Sequence, residues 1–280
     1  MIREYKLYTL IIKSPKIYLY CLIYCKLKSN LERKLRRMDT IEKRIQLPSN
    51  GYFGGPKEVT IRAMTTREEK IILSARDFSV FTQLVRSCIL DPEDIDVGLL
   101  HQNDIMYLVY ALRELTFGNT YNQEVVCPEC GFKQETEIDI NEMNITYLDS
   151  EGLEDKLLVK LPVNGDELQL KLLSSGDINR LDKQVKNRTA KGKVQDPETY
   201  EFTIKLMETI VNKNGEDFES FEDKRNYVDN LNMRDLVAIQ NTLNKIEFGL
   251  DPSVVITCNK CKEEVEVSGL ICPEFFRPTK

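Results

Sequence analysis

Two Cys-x-x-Cys pairs, Cys127-Pro-Glu-Cys130 and Cys258-Asn-Lys-Cys261, constrain the fold of this chain more than any other feature. Each lies between extended segments, with Val125-Val126 and 135–140 flanking the first and 254–257 and 263–267 flanking the second. That is the setting of a zinc knuckle, in which a strand delivers two thiolates and a tight turn points their sulfurs at one ion. Gly131 supplies the positive φ that such a turn favours. Four soft ligands fill a tetrahedral site and leave no position open for water. The pattern therefore predicts one structural Zn2+ per chain on Cys127, Cys130, Cys258 and Cys261. A thioredoxin-type redox motif fits less well, because neither pair opens a helix. Disulfides, or separate sites completed by another chain, are the other arrangements the spacing allows.

The gap between the pairs is 127 residues, 131–257, far beyond the spacing of an ordinary ribbon. One shared ion would make the intervening chain an insertion whose ends the metal pins together. The expected architecture is α+β: short strands and helices, a zinc-ribbon-like site from two distant knuckles, and a mainly helical insertion. Residues 38–140 and 250–280 would form a β-rich platform, and 141–249 a hairpin plus helical insertion.

Local patterns fill in this outline. In 58–64, Val59, Ile61 and Ala63 alternate with polar neighbours as in a half-buried strand. Thr66 and Glu69 have capping-box spacing ahead of an apolar run. A helix is expected from Asp77, with Phe78, Phe81, Leu84, Val85 and Cys88 on one face, ending at Asp91-Pro92. The firmest helix is 103–117, where Ile105, Leu108, Val109, Leu112 and Leu115 recur at helical spacing before Gly118. Asn164-Gly165 marks a hairpin. A helix capped by Asp177 or Ser175 runs to about Arg188, and 190–197 reads as a polar linker. Helices at 198–212, 221–230 and 233–246 follow, with Gly215 and Gly249 as stops. Cys88 and Cys272 are expected to pack rather than ligate.

Charge separates the first 37 residues from the rest. Residues 1–37 hold 10 basic and 2 acidic side chains, whereas 38–280 carries a formal −14. The longest apolar run of that leader, Ile17–Cys25, is far short of the ~20 residues a membrane span needs. The leader reads as upstream sequence, with translation starting at Met38; a basic peptide lying on a membrane surface or an acidic partner is the other reading. An acidic body should be repelled by phosphates, so no nucleic-acid partner is expected, and no membrane partner for 38–280. The basic stretch Lys183, Lys186, Arg188, Lys191 and Lys193 lacks interleaved aromatics and reads as a flexible solvated linker.

No catalytic constellation is visible. The sole histidine, His101, has no recognisable nucleophile partner, and no phosphate-binding glycine motif occurs. Asp91, Glu93, Asp94 and Asp96 lack the ligand spacing of a calcium loop and read as a solvated acidic loop. The expectation is a protein that is not an enzyme.

Residues 44–75 resemble the start of the T-even-type phage baseplate hub and hub-assembly proteins. The resemblance rests on the turn Leu47-Pro48-Ser49-Asn50-Gly51, the extended Val59-Thr60-Ile61-Arg62 and the helix start Thr65-Thr66-Arg67-Glu68-Glu69-Lys70. It implies a structural or assembly component of a contractile-tail baseplate, acting by contact with other tail or baseplate proteins. Assembly would take place in the host cytoplasm, where thiols stay reduced and free for zinc, and the protein would be a candidate component of the virion tail. Tyr52 and Phe53 in a Gly-rich loop, and Phe275, Phe276 and Arg277 near the C-terminus, are candidate partner contacts; packing into the chain's own core is the other reading for both. A zinc-ribbon nucleic-acid-binding or regulatory protein is the alternative function.

Overall fold

The computed structural model describes residues 41–73, 79–269, 271 and 273–277. The leader, the expected cap at Asp77 with Phe78, and Cys272 lie outside the described residues. The chain divides between Ile41 and Glu42, and the fold below is that of the second unit.

Strands β1 (Glu42–Gln46), β2 (Glu58–Arg62) and β3 (Ile89–Asp91) form an antiparallel sheet with β2 in the centre. Ile45, Val59 and Ile61 point inward and are buried. Helices α1 (Thr66–Leu73) and α2 (Ser79–Cys88) lie between β2 and β3 in the chain, and α3 (Gln102–Phe117) follows β3. On α3, Ile105, Leu108, Val109 and Leu112 are fully buried, each worth ~1.5–3 kcal/mol of apolar burial. Two expectations shift here. The capping box uses Thr65 and Glu68, one residue earlier than Thr66 and Glu69: the Glu68 carboxylate accepts from the Thr65 N–H at 2.8 Å, and Thr65 Oγ1 accepts from the Arg67 N–H. Helix α2 ends at Cys88, because Ile89 and Asp91 pair with Ile61 and Thr60 of β2 instead of continuing the helix.

Helix α3 leads into the hairpin β4 (Thr120–Val126) and β5 (Lys133–Asp139). A matching hairpin, β11 (Ser253–Thr257) and β12 (Glu264–Ser268), comes from the far end of the chain. The segment after β12 returns to α3: the Tyr110 hydroxyl donates to the Gly269 carbonyl, and the fully buried Arg113 donates to the carbonyls of Gly118, Thr120 and Phe275.

Between the hairpins lies a second core, centred on Leu157, Leu168, Ile210 and Ile239. It contains β6 (Asn144–Thr146), the single turn α4 (Leu153–Lys156), β7 (Leu158–Lys160) and β8 (Glu167–Leu170). Helices α5 (Ser175–Ala190) and α6 (Pro197–Thr209), strand β9 (Ile210–Lys213), helices α7 (Phe221–Asp229) and α8 (Met233–Asn244), and β10 (Gly249–Asp251) complete it. The expected 198–212 helix stops at Thr209, since 210–213 pairs with β8 as the third strand of its sheet. The α5 cap is Ser174, in a capping box with Asp177, rather than Ser175 or Asp177. Lys183, Lys186 and Arg188 sit on α5 and so do not belong to a linker. Gly249 does not merely stop a helix: it begins β10, which pairs with β6.

The two cores meet around residues 98–103. His101 caps α3, its Nδ1 accepting from the Asn103 N–H at 3.1 Å, while Asp104 accepts from the His101 N–H and the Ser49 N–H. The imidazole is stacked on Phe53 at 5.3 Å and lies 4.7 Å from Phe248. Asn103 Nδ2 donates to the Phe248 carbonyl at 2.6 Å, and the Ser175 N–H to the Leu100 carbonyl at 2.8 Å. A Cβ on Gly176 would lie 2.9 Å from the Gly98 carbonyl oxygen, so this approach of backbones requires glycine. Burial pulls the His101 pKa down from 6.5 to about 4. A neutral His101 in the fold and a titrating one in the unfolded chain mean that stability falls as pH drops from 6.5 towards 4. Acid unfolding curves of wild type and His101→Asn, which keeps a capping group, should diverge by up to about 3 kcal/mol over that window. Parallel curves would show that His101 is not held neutral.

Candidate metal centre

The two knuckles have the same backbone. In the first, the Cys127 N–H donates to the Phe132 carbonyl and the Gly131 N–H to the Cys127 carbonyl, both at 2.9 Å. In the second, the Cys258 N–H donates to Glu263 and the Lys262 N–H to Cys258, again at 2.9 Å. The turn residue is left-handed in both, Gly131 at φ 67° and Lys262 at φ 66°. A lysine there is strained where a glycine is not, so Lys262→Gly should stabilise the protein by ~0.5–1 kcal/mol, measured by denaturant unfolding of metal-loaded protein. An unchanged or lowered midpoint would contradict it.

All four thiols converge, with their sulfurs within 4.8 Å of one another. Cys127 Sγ lies 3.8 Å from Cys261 Sγ, and Cys130 Sγ 3.7 Å from Cys258 Sγ. Sulfurs placed tetrahedrally at ~2.3 Å from one zinc would be about 3.8 Å apart, whereas a disulfide requires about 2.05 Å. The donor set thus fits a tetrathiolate metal and not a pair of disulfides. Cys127 and Cys258 are buried, over Val265, Ile256 and Val267. Gln134 ties the hairpins together: its Nε2 donates to the Thr257 carbonyl at 3.2 Å and its Oε1 accepts from the Asn259 N–H at 2.8 Å. Backbone N–H donation from Cys261 and Lys260 lowers the Cys258 thiol to about 6. Cys261 feels a lowering from the Glu263 N–H, but burial and the three neighbouring thiols push it up to about 12. A cation is what allows all four to ionise together.

The other candidate residues separate. Phe275 is fully buried, with Tyr110 and Tyr121 packed edge-on at 4.9 and 5.1 Å. This corrects its assignment as a surface anchor. Phe276 is half-buried and Arg277 exposed. Phe53 packs against the second core and His101, while Tyr52 is exposed beside it. The capping role of His101 went unread; its signal was Asp104 three residues on, the acid of a capping box. Among the described residues, the four cysteines form the only His/Cys/Asp/Glu group placed to hold a metal, and no helix is long and apolar enough to cross a membrane.

A family model described as T4 bacteriophage base plate protein matches residues 38–277. The chain belongs to this base plate family. No curated protein and no solved structure matches it. The residues that first suggested a base plate protein have structural work in this chain. Arg62 and Glu68 form a bidentate pair at 3.0 and 3.2 Å, with the Glu68 side chain fully buried. Pro48 and Asn50 hold the second core through the backbone of Leu148, at 2.7 and 2.9 Å.

Proposed function

We propose that this base plate family member is a structural or assembly part of the hub region of a contractile tail, working through protein–protein contacts. The family match over 38–277 carries the reading. The chemistry of the site supports a structural role, since four thiolates leave a metal no open coordination position. We assign the site one zinc, which Cys127, Cys130, Cys258 and Cys261 would hold as thiolates and which would supply the positive charge that lets them ionise together. Cys127 and Cys258 supply its buried side, Cys130 and Cys261 its outer side, and Gln134 fixes the hairpins beneath. Residues 38–140 and 250–280 would then act as the platform and 141–249 as the inserted module, consistent with the two separate cores. Tyr52, Phe276 and Arg277 remain the proposed contacts to neighbouring tail proteins, made in the host cytoplasm, and no catalysis is assigned.

Native mass spectrometry should find one zinc per chain, lost in Cys127→Ser and in Cys258→Ser alike. Metal kept by either variant would rule out a shared site. For the role itself, the tagged protein purified from infected cells should bring down baseplate components in fixed stoichiometry. Recovery alone or with nucleic acid would refute it.

A further inference from the structure

The charge of this chain is arranged in two opposed surfaces. Residues 180–193 hold six basic side chains against one acid, in a body that is otherwise strongly acidic. Arg180, Lys183, Asn187 and Lys191 follow one line along α5 and its C-cap, at the three- and four-residue steps of a helix face, and all are exposed. Arg180 is paired with Asp177 and Glu208, whereas Lys183, Lys191 and Lys193 extend the basic line towards solvent.

The outer face of the β4–β5 hairpin has the opposite sign. The β4–β5 register sets Glu124 directly across from Glu135, and Asn122 across from Glu137, all exposed. Like charges paired across strands cost ~0.2–1 kcal/mol, and the Lys133 contact to Glu124 is long, at 3.5 Å, between well-exposed groups. On β4, Val126 follows Glu124 on the same exposed side and is 53% exposed. This surface has the acidic and apolar character to receive a basic helix.

We infer that the basic face of α5 in one copy docks on the acidic outer face of the β4–β5 hairpin in a second copy. The occupant is argued from charge complementarity carried by the chain itself. The contact joins two different patches, so it is head-to-tail and produces a ring or an open array, not a two-fold dimer. It goes beyond the base plate reading and stands or falls separately from zinc identity and tail partners.

The test is sedimentation velocity on the full, metal-loaded chain at low and at high ionic strength. Wild type should self-associate at low salt and dissociate as screening grows. Glu124→Lys/Glu135→Lys and Lys183→Glu/Lys191→Glu should each weaken association at least ~10-fold, with circular dichroism and metal content unchanged. Mixing the two reversed variants should restore it, because each again meets its opposite. A monomeric wild type, a mixture that stays monomeric, or association that survives the Lys183/Lys191 reversal would overturn the inference. So would duplex DNA binding that is lost on reversing Lys183 and Lys191.

Discussion

Cys258→Ser is expected to lower the unfolding free energy by about 3–5 kcal/mol, roughly 10 °C in midpoint for a chain of this size. The reasoning is that of a cross-link. An ion shared by Cys127, Cys130, Cys258 and Cys261 closes a loop of 127 residues, 131–257, and removes most of the freedom its ends have in the unfolded chain. The two hairpins are otherwise joined near the sulfurs by little more than the Gln134 hydrogen bonds and a small apolar cluster of Val265, Ile256 and Val267. A chelator should reproduce the loss in wild type and add nothing in the variant. Unfolding curves that ignore the chelator would show that the thiols do not bear on stability through a metal.

The second large effect is expected at Arg62. Arg62→Met leaves the Glu68 carboxylate buried without its guanidinium, a change that typically costs about 3–5 kcal/mol. Arg62 also donates to the carbonyls of Ala63 at 3.0 Å and Ser87 at 2.8 Å, so its loss frees the end of β2 from the end of α2. The double variant Arg62→Met/Glu68→Leu should recover much of the loss, because it removes the stranded charge as well. A double variant as unstable as the single one would place the cost in the carbonyl contacts. pH supplies a further check. Burial pushes the Glu68 pKa up, but the Arg62 guanidinium and the Thr65 donors outweigh it and bring the carboxyl from 4.5 to about 2. Its contribution is therefore complete above pH 4.5 and disappears as pH falls towards 2, a window that begins near the lower end of the one in which His101 acts.

The chemistry of the site was legible because cysteine at this spacing has few other uses, and the matched flanking strands announce a knuckle on either side of the long gap. Helix α3 was legible for a different reason: its apolar residues recur every three or four positions for four turns. The cap of α1 was ambiguous, since Thr65-Thr66 and Glu68-Glu69 offer the same box in two registers. What selects the earlier one is Arg62 at the end of β2, whose guanidinium reaches Glu68 and which periodicity does not single out. Ile89 and Ile210 continue the apolar rhythm of the helices before them, so nothing local shows that each has become a strand. Strands β6 and β10 are three residues each and depend on each other. The junction at 98–103 is assembled with Phe53, Ser175, Gly176 and Phe248, all far away in the chain, and periodicity carries no such information.

The long interval between the knuckles also sets an order of events during synthesis. At ~5–20 residues per second, a ribosome needs roughly 6–25 s to pass from Cys130 to Cys258. Every residue of the second core, from Leu148 to Phe248, is made within that interval. The inserted module can fold while two thiols wait for the other two, and the hairpins close only after the module between them exists. A chain that stalls just before Cys258 has a finished module but an open knuckle, with Cys127 and Cys130 still waiting for their partners.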